Sequence, residues 1–353
     1  MTVFDRRRLL AAAAALAAPG IIGSRAAQAV EAADALVTGK LTIDMHSHGG
    51  GLIRDDSTPD DVVDAMRAGG MAVACLAIVS DVPTTKVLAD HLIHPVRDPE
   101  PGELYAWSKG AFGRVLRLAQ AQGARLVGST ADMRAAPAGG PAVIVAAEGA
   151  DFLEGHIERV DEARRQFGLR HLQLVHYRPN ELGDIQTEAP VHNGLTDFGV
   201  EVIRACNRLG IVVDVAHATL DVVKRAAEAT SRPLILSHTS LSPAPGPRSR
   251  QISADHARVV AQTGGVIGVW PPSSIFPTID AMAEGMARLV DIVSADHVGL
   301  GSDMRGLLSP SVLPSYRAFP LLAQALLARG FSQEDAGKIL GGNYARVFAA
   351  TVG

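Results

Sequence analysis

Aromatic side chains are scarce in this chain, at 4% of 353 residues. A core of normal size must therefore be aliphatic, and the 47% apolar fraction supplies it as Ala, Val, Leu and Ile. Only two cysteines occur, Cys75 and Cys206, which excludes a disulfide framework. One lies in an expected strand and the other in an expected helix. Both read as buried and free, with a single bridge as the alternative in an oxidising compartment. Positive charge is not in excess: 33 Lys and Arg against 37 Asp and Glu give a net charge of -4, and no basic tract lies beyond the N-terminus. Nucleic acid is therefore not an expected partner. Lysines are few: Lys40, Lys86, Lys109, Lys224 and Lys338. Past the N-terminus no run has the length and apolarity of a membrane span.

The N-terminus reads Asp5-Arg6-Arg7-Arg8-Leu9-Leu10, then the apolar run Ala11 to Ala18, then Ala27-Gln28-Ala29 as a small-x-small cleavage site. A twin arginine before a short apolar stretch resembles the bacterial twin-arginine export signal. The expected organisation is a signal peptide over 1–29 and a single domain over 30–353. The expected location is periplasmic or secreted; an uncleaved N-terminal helix or anchor is the alternative.

What is abundant is the apolar run of strand length. Eight occur, at 41–46, 72–79, 143–148, 171–176, 211–217, 233–238, 265–270 and 297–302. Most are unbroken, as parallel strands buried on both faces require. Amphipathic helical patterns lie between them. Thr196 and Thr219 are expected N-caps for helices over 197–208 and 220–229, and Ser332 with Asp335 forms a capping box for a helix to about Phe348. The long connection 80–142 is expected to hold a helix at 102–122 and a short strand near 125–129. Pro243, Pro245 and Pro247 exclude a regular helix over 239–252. Eight βα units in one chain of this length predict an α/β fold, a (β/α)₈ TIM barrel.

Barrel active sites lie at the C-terminal ends of the strands. Here those ends carry His46 and His48, Glu148, His176, His217, His238 and Asp303. Residues two apart on a strand share a face, so His46 and His48 can reach one ion. Imidazole and carboxylate are good zinc ligands. Glu148, with two histidines before it and two after, suits a bridge between two Zn2+ ions, one on His46, His48 and Glu148 and the other on Glu148, His217 and His238. Some barrel hydrolases bridge their metals with a carboxylated lysine, but none of the five lysines lies at a strand's C-terminal end. Such a pair can hold a shared hydroxide, a strong nucleophile near neutral pH. Asp303 is the expected proton carrier and His176 the group that polarises a scissile carbonyl. Arg250, Arg248 or Arg305 could grip a substrate carboxylate. His91, His94, His156, His171, His192, His256 and His297 lack the strand-end context and read as structural or solvated.

These residues resemble the membrane (renal) dipeptidase family, zinc peptidases of the amidohydrolase superfamily. The likeness runs in order through Ile43-Asp44-Met45-His46, Ala147-Glu148-Gly149, Leu174-Val175-His176, Gly194 to Gly199, Asn207 to His217, Ser237-His238, Gly264-Gly265-Val266, Gly299 to Asp303, and Gly341-Gly342-Asn343 with Arg346-Val347-Phe348. It implies one zinc on His46 and Glu148 and a second on Glu148, His217 and His238. It implies His176 near the substrate carbonyl, Arg250 on the substrate carboxylate, Asp303 as proton shuttle, a dipeptide-like substrate and a homodimer. Two departures stand out. His48 occupies the place of a family aspartate, which makes the site more positive by one unit, and Arg305 stands where the family often has another aspartate. The aromatic and asparagine contacts that often follow the His176 position are replaced by Tyr177-Arg178-Pro179. The expected activity is zinc-dependent hydrolysis of the amide bond of dipeptides or similar molecules. The alternatives are hydrolysis of N-acyl-D-amino acids or lactones on the same scaffold, or a metal-bearing binding protein without turnover.

Overall fold

The computed structural model describes residues 30–53 and 60–353; the expected export signal lies outside them. All eight expected strands form: β1 (Ile43–Ser47), β2 (Val73–Val79), β3 (Ala142–Glu148), β4 (His171–Gln173), β5 (Val212–Asp214), β6 (Ile235–Thr239), β7 (Val266–Val269) and β8 (Val298–Leu300). They pair in that order, all parallel, and a two-residue strand at Arg125–Leu126 adds to β3. The ring closes beyond β8, where the His48 amide donates to the Met304 carbonyl at 2.9 Å and the Asp303 amide to the His46 carbonyl at 3.0 Å.

Alternation along the strands divides the core in two. Val73, Cys75 and Ala77 of β2 point into the barrel with Ile43, Met45, Ile144 and Ala146. Ala74, Leu76 and Ile78 point outward against the helices. Continuous apolar strands follow, because both faces are buried. Tyr344, Val347 and Phe348 of the helix Asn343–Val352 join the interior cluster. Cys75 and Cys206 are both buried and free. No helix among the described residues is long and apolar enough to cross a membrane.

The expected caps are in place: Thr196 Oγ1 accepts from Gly199 N at 3.0 Å, and Ser332 Oγ from Asp335 N at 3.0 Å. The helix Glu103–Gln122 and the strand at 125–126 also match expectation. Three boundaries need correction. β4 ends at Gln173 and β5 at Asp214, so His176 and His217 each stand three residues past their strands. His217 is left-handed, with φ 67°, which no strand residue can be. The C-terminal helix is broken rather than continuous. It runs over Gln333–Gly337, passes through an irregular turn at Lys338–Gly342, and resumes to Val352. The break lies where Gly341 approaches the Leu41 carbonyl, which a Cβ would meet at 2.3 Å.

Candidate metal centre

Five histidines at or just past the strand ends converge on Glu148. Its Oε1 lies 3.4 Å from His46 Nε2, 3.2 Å from His217 Nε2 and 3.4 Å from His238 Nε2. Its Oε2 lies 3.1 Å from His48 Nε2 and 3.3 Å from His176 Nε2. Asp303 Oδ1 completes the set, 3.4 Å from His48 Nε2. All are buried; His176 and Asp303, at 7% exposure, are the most open and line the adjoining cavity. The ligand atoms group most tightly as His46–His48–Asp303, His46–Glu148–His238 and Glu148–His176–His217. His176 thus stands as close to Glu148 as the four histidines expected to bind metal.

Partners on the far side of each ring orient these atoms. His48 Nδ1 faces the Ala77 carbonyl at 2.9 Å, an acceptor only, so Nδ1 carries a proton and Nε2 is turned to the site. His238 Nδ1 meets Ser237 Oγ at 2.9 Å. His176 Nδ1 meets Asp81 Oδ1 at 2.8 Å, and Asp81 Oδ2 accepts from Tyr177 N at 3.0 Å. Two further buried carboxylates shape the strand ends in parallel fashion. Asp44 Oδ1 accepts from His46 N and Ser302 N, at 3.2 and 2.8 Å, tying β1 to the segment after β8. Asp214 Oδ1 accepts from Ala216 N and Ser237 N, at 2.9 and 3.0 Å, tying β5 to β6.

Backbone conformation marks the same place. His217 and Asp303 are both left-handed, at φ 67° and 46°, a cost of order 1 kcal/mol or more each. Gly306 permits the close seating of Asp303 on His48, since a Cβ there would meet Asp303 Oδ1 at 2.0 Å and His48 Cδ2 at 2.8 Å.

The donor set fits divalent cations. His46 and His48 present Nε2 to Nε2 at 3.2 Å, and His217 and His238 at 3.1 Å, with a carboxylate oxygen facing each pair. Lone pairs aimed at lone pairs repel unless a proton or a cation stands between them. Burial holds His217 well below the usual imidazole range, assisted by the Arg250 charge; burial and the neighbouring His46 do the same to His238. Both are therefore neutral, the form that binds metal. Burial also opposes the charge on His48, but hydrogen bonds to Asp303 and Glu148 outweigh it and lift the group to about 10. Glu148 is held well below the carboxylate range: burial raises it, and the charges of His176 and His46 more than reverse that.

Arg250 stands beside this cluster. Its Nη1 donates to Gln186 Oε1 at 2.6 Å and its Nη2 lies 3.3 Å from His238 Nε2. Its Nε has no partner, and no described carboxylate pairs with it. Arg248 is instead tied to Glu188 at 2.7 Å and Arg305 to Asp60 at 2.7 Å. Of the three arginines weighed from sequence, Arg250 alone is free of a carboxylate partner and next to the cluster.

Sequence reasoning missed Asp81, Asp44, Asp214 and Gln186. A signal existed for the first three: a carboxylate within or just after an apolar run, where burial without a partner would be costly. Gln186 lies in a loop and had none.

A family model described as membrane dipeptidase (peptidase family M19) matches residues 110–352. Dipeptidase aclJ of Aspergillus oryzae is 32% identical over 195 residues, covering 52% of this chain and 45% of that one. Dipeptidase tcpJ of Claviceps purpurea is 30% identical over 227 residues, covering 61% and 52%. The chain thus spans about half the length of the curated relatives it matches. Among solved structures, a metallopeptidase from Rhodobacter sphaeroides, liganded with a phosphinate mimic of the dipeptide L-Ala-D-Ala, superposes with a TM-score of 0.77 at 20% identity, covering 88% of this chain and 99% of that one. This likeness establishes a shared fold.

Proposed function

Because the chain belongs to the membrane dipeptidase family, peptidase family M19, we propose that it is a metal-dependent hydrolase cleaving the amide bond of dipeptides or dipeptide-like molecules that end in a carboxylate. The observation that carries this reading is the Glu148 carboxylate, buried and met by five imidazole Nε2 atoms at 3.1–3.4 Å, with Arg250, which has no carboxylate partner among the described residues, alongside.

His46, His48, Glu148, His217 and His238 would hold two zinc ions, with Glu148 shared; nitrogen and oxygen donors of this kind suit Zn2+. When bound, the pair supplies a water acidic enough to attack near neutral pH and a Lewis acid for the carbonyl. The chain's own groups do the rest. Arg250 grips the substrate carboxylate and fixes the register of the amide bond. Asp303 Oδ1, at the cavity edge, takes the proton of the attacking water and passes it to the leaving nitrogen. His176 is raised above the usual imidazole range: burial opposes this, but the charges of Asp81 and Glu148 prevail. With Nδ1 committed to Asp81, the Nε2 proton faces the site, 3.3 Å from Glu148 Oε2, and turns to the oxyanion as it develops.

The test is metal analysis and a dipeptide panel on one preparation, with Asp303→Asn beside wild type. The variant should keep its metal and lose turnover by two orders of magnitude or more, at roughly 10²-fold for a general acid–base group. Equal turnover by the two proteins would remove Asp303 from the proton transfer, and no turnover by wild type on any substrate would make the chain a binding protein. The twin-arginine pattern at Arg6-Arg7 supports a reading of export, and the family likeness one of a homodimer. Cell fractionation and light scattering test them.

A further inference from the structure

We propose that the Tyr177 hydroxyl is a second donor to the substrate carboxylate, so that Tyr177 and Arg250 form one clamp that sets how strongly a free carboxylate is preferred over its amide. This rests on the hydrolytic reading above and gives a role to a residue that reading leaves idle.

Tyr177 is placed by its neighbours. The chain leaves β4 at Gln173, and the Asp81 carboxylate that orients His176 also accepts from Tyr177 N at 3.0 Å. The phenol ring stands steeply against two imidazoles. Its centroid lies 4.6 Å from that of His176 and 4.9 Å from that of His217, at interplanar angles of 71° and 86°. A ring with few torsions, pinned through its backbone and its edges, holds its hydroxyl in a fixed place.

That place joins the cavity to the arginine. Tyr177 lines the cavity with Glu148, His176, His217 and Asp303, and its hydroxyl meets the Arg250 guanidinium. Arg250 is fixed from other sides as well. Its Nη1 donates to Gln186 Oε1 at 2.6 Å, its carbonyl accepts from Thr239 Oγ1 at 2.9 Å, and its Cζ lies 5.6 Å from the centre of the Trp270 ring.

A guanidinium can only donate, so in the contact with Arg250 the phenolic oxygen is the acceptor and its hydrogen is not used. A carboxylate has two oxygens and can take the guanidinium and the hydroxyl together. A carboxylate docked on Arg250 from the cavity comes within reach of the Tyr177 O–H, and the bond it accepts is charge-assisted. A C-terminal amide keeps one such oxygen and turns N–H groups toward the same donors, so the pair discriminates against it. The contact is remote from the scissile bond and equal in ground and transition states. It therefore acts on KM and not on kcat.

Tyr177→Phe keeps the ring and removes the hydroxyl. Wild type and variant, at equal metal content, are compared on the dipeptide that wild type cleaves best and on its C-terminal amide. Binding of leucine, a product-like ligand, is measured by calorimetry on the same samples. The variant should show KM for the dipeptide raised roughly tenfold, kcat within about threefold, the preference for acid over amide reduced by about the same tenfold, and leucine bound about tenfold more weakly. In an Arg250→Met background the further loss should be smaller, because both side chains act on one carboxylate. Unchanged KM and leucine affinity, a fall in kcat alone, or losses that simply multiply would overturn the clamp and leave the hydrolytic reading standing. A wild type that cleaves no dipeptide yet binds leucine more tightly than the variant would support the clamp and overturn the hydrolytic reading. No cleavage, with leucine binding equal in the two proteins, would overturn both.

Discussion

Asp81→Asn is the most informative single substitution, because it changes the charge behind His176 and leaves the five expected metal ligands untouched. Asp81 is fully buried, with Oδ1 2.8 Å from His176 Nδ1 and Oδ2 3.0 Å from Tyr177 N. An asparagine can keep its oxygen on Tyr177 N and turn its NH₂ toward Nδ1. His176 must then accept at Nδ1 and becomes a neutral ring with its proton on Nε2. It still donates to the carbonyl oxygen, but without a positive charge. Hydrogen bonds to charged groups are worth about 1.5–3 kcal/mol against about 1 for neutral ones. Since negative charge grows on that oxygen only in the transition state, the difference of about 0.5–2 kcal/mol falls on kcat, at roughly 2- to 30-fold, with KM nearly constant. Steady-state kinetics on a cleaved substrate, with metal content measured on the same samples, reads this directly. A kcat within twofold of wild type at equal metal content would refute the role given to His176, as would a rise in KM alone.

Other perturbations give separable signatures. Arg250→Met should raise KM roughly 10- to 100-fold for carboxylate-bearing substrates and leave their C-terminal amides little changed; a uniform loss on both would remove Arg250 from carboxylate recognition. His48→Asp makes the site one unit less positive, so the acidic limb of the pH–rate profile should move to higher pH; an unmoved limb contradicts that reasoning. Burial raises Asp214, but the hydrogen bond to His171 at 3.0 Å outweighs it and holds the group below the ordinary value of 3.8. Its contribution to stability is therefore complete above about pH 4 and fades as pH falls through the lower folded value. Asp214→Asn should cost about 3–5 kcal/mol at neutral pH and flatten the decline below pH 4 in chemical denaturation; equal pH slopes would show that the pair does not govern acid stability.

Much of the barrel was legible because strands covered on both faces leave unbroken apolar runs. Val73 to Val79 and Ala142 to Glu148 were found nearly residue for residue. Glu148 and the strand-end histidines were legible for the same reason, as side chains able to ligate a metal that interrupt or end such runs. What escaped depends on contacts remote in sequence. β5 stops at Asp214 because its carboxylate turns back to Ala216 N and across to Ser237 N, and the chain then reaches His217 in a left-handed conformation. The pairing of Asp81 with His176 joins residues 95 apart. The C-terminal helix breaks where Gly341 meets the backbone at Leu41. Local propensity contains none of these, since each is set by what another part of the chain places opposite.

The central claim is that Glu148 is shared by two cations, and the direct measurement is bound zinc per chain, by elemental analysis after loading and gel filtration, for wild type and Glu148→Gln. The account predicts two ions in wild type and one or none in the variant, with the variant still folded by circular dichroism. Wild type that retains no zinc, or a Glu148→Gln protein that retains both ions, would contradict it.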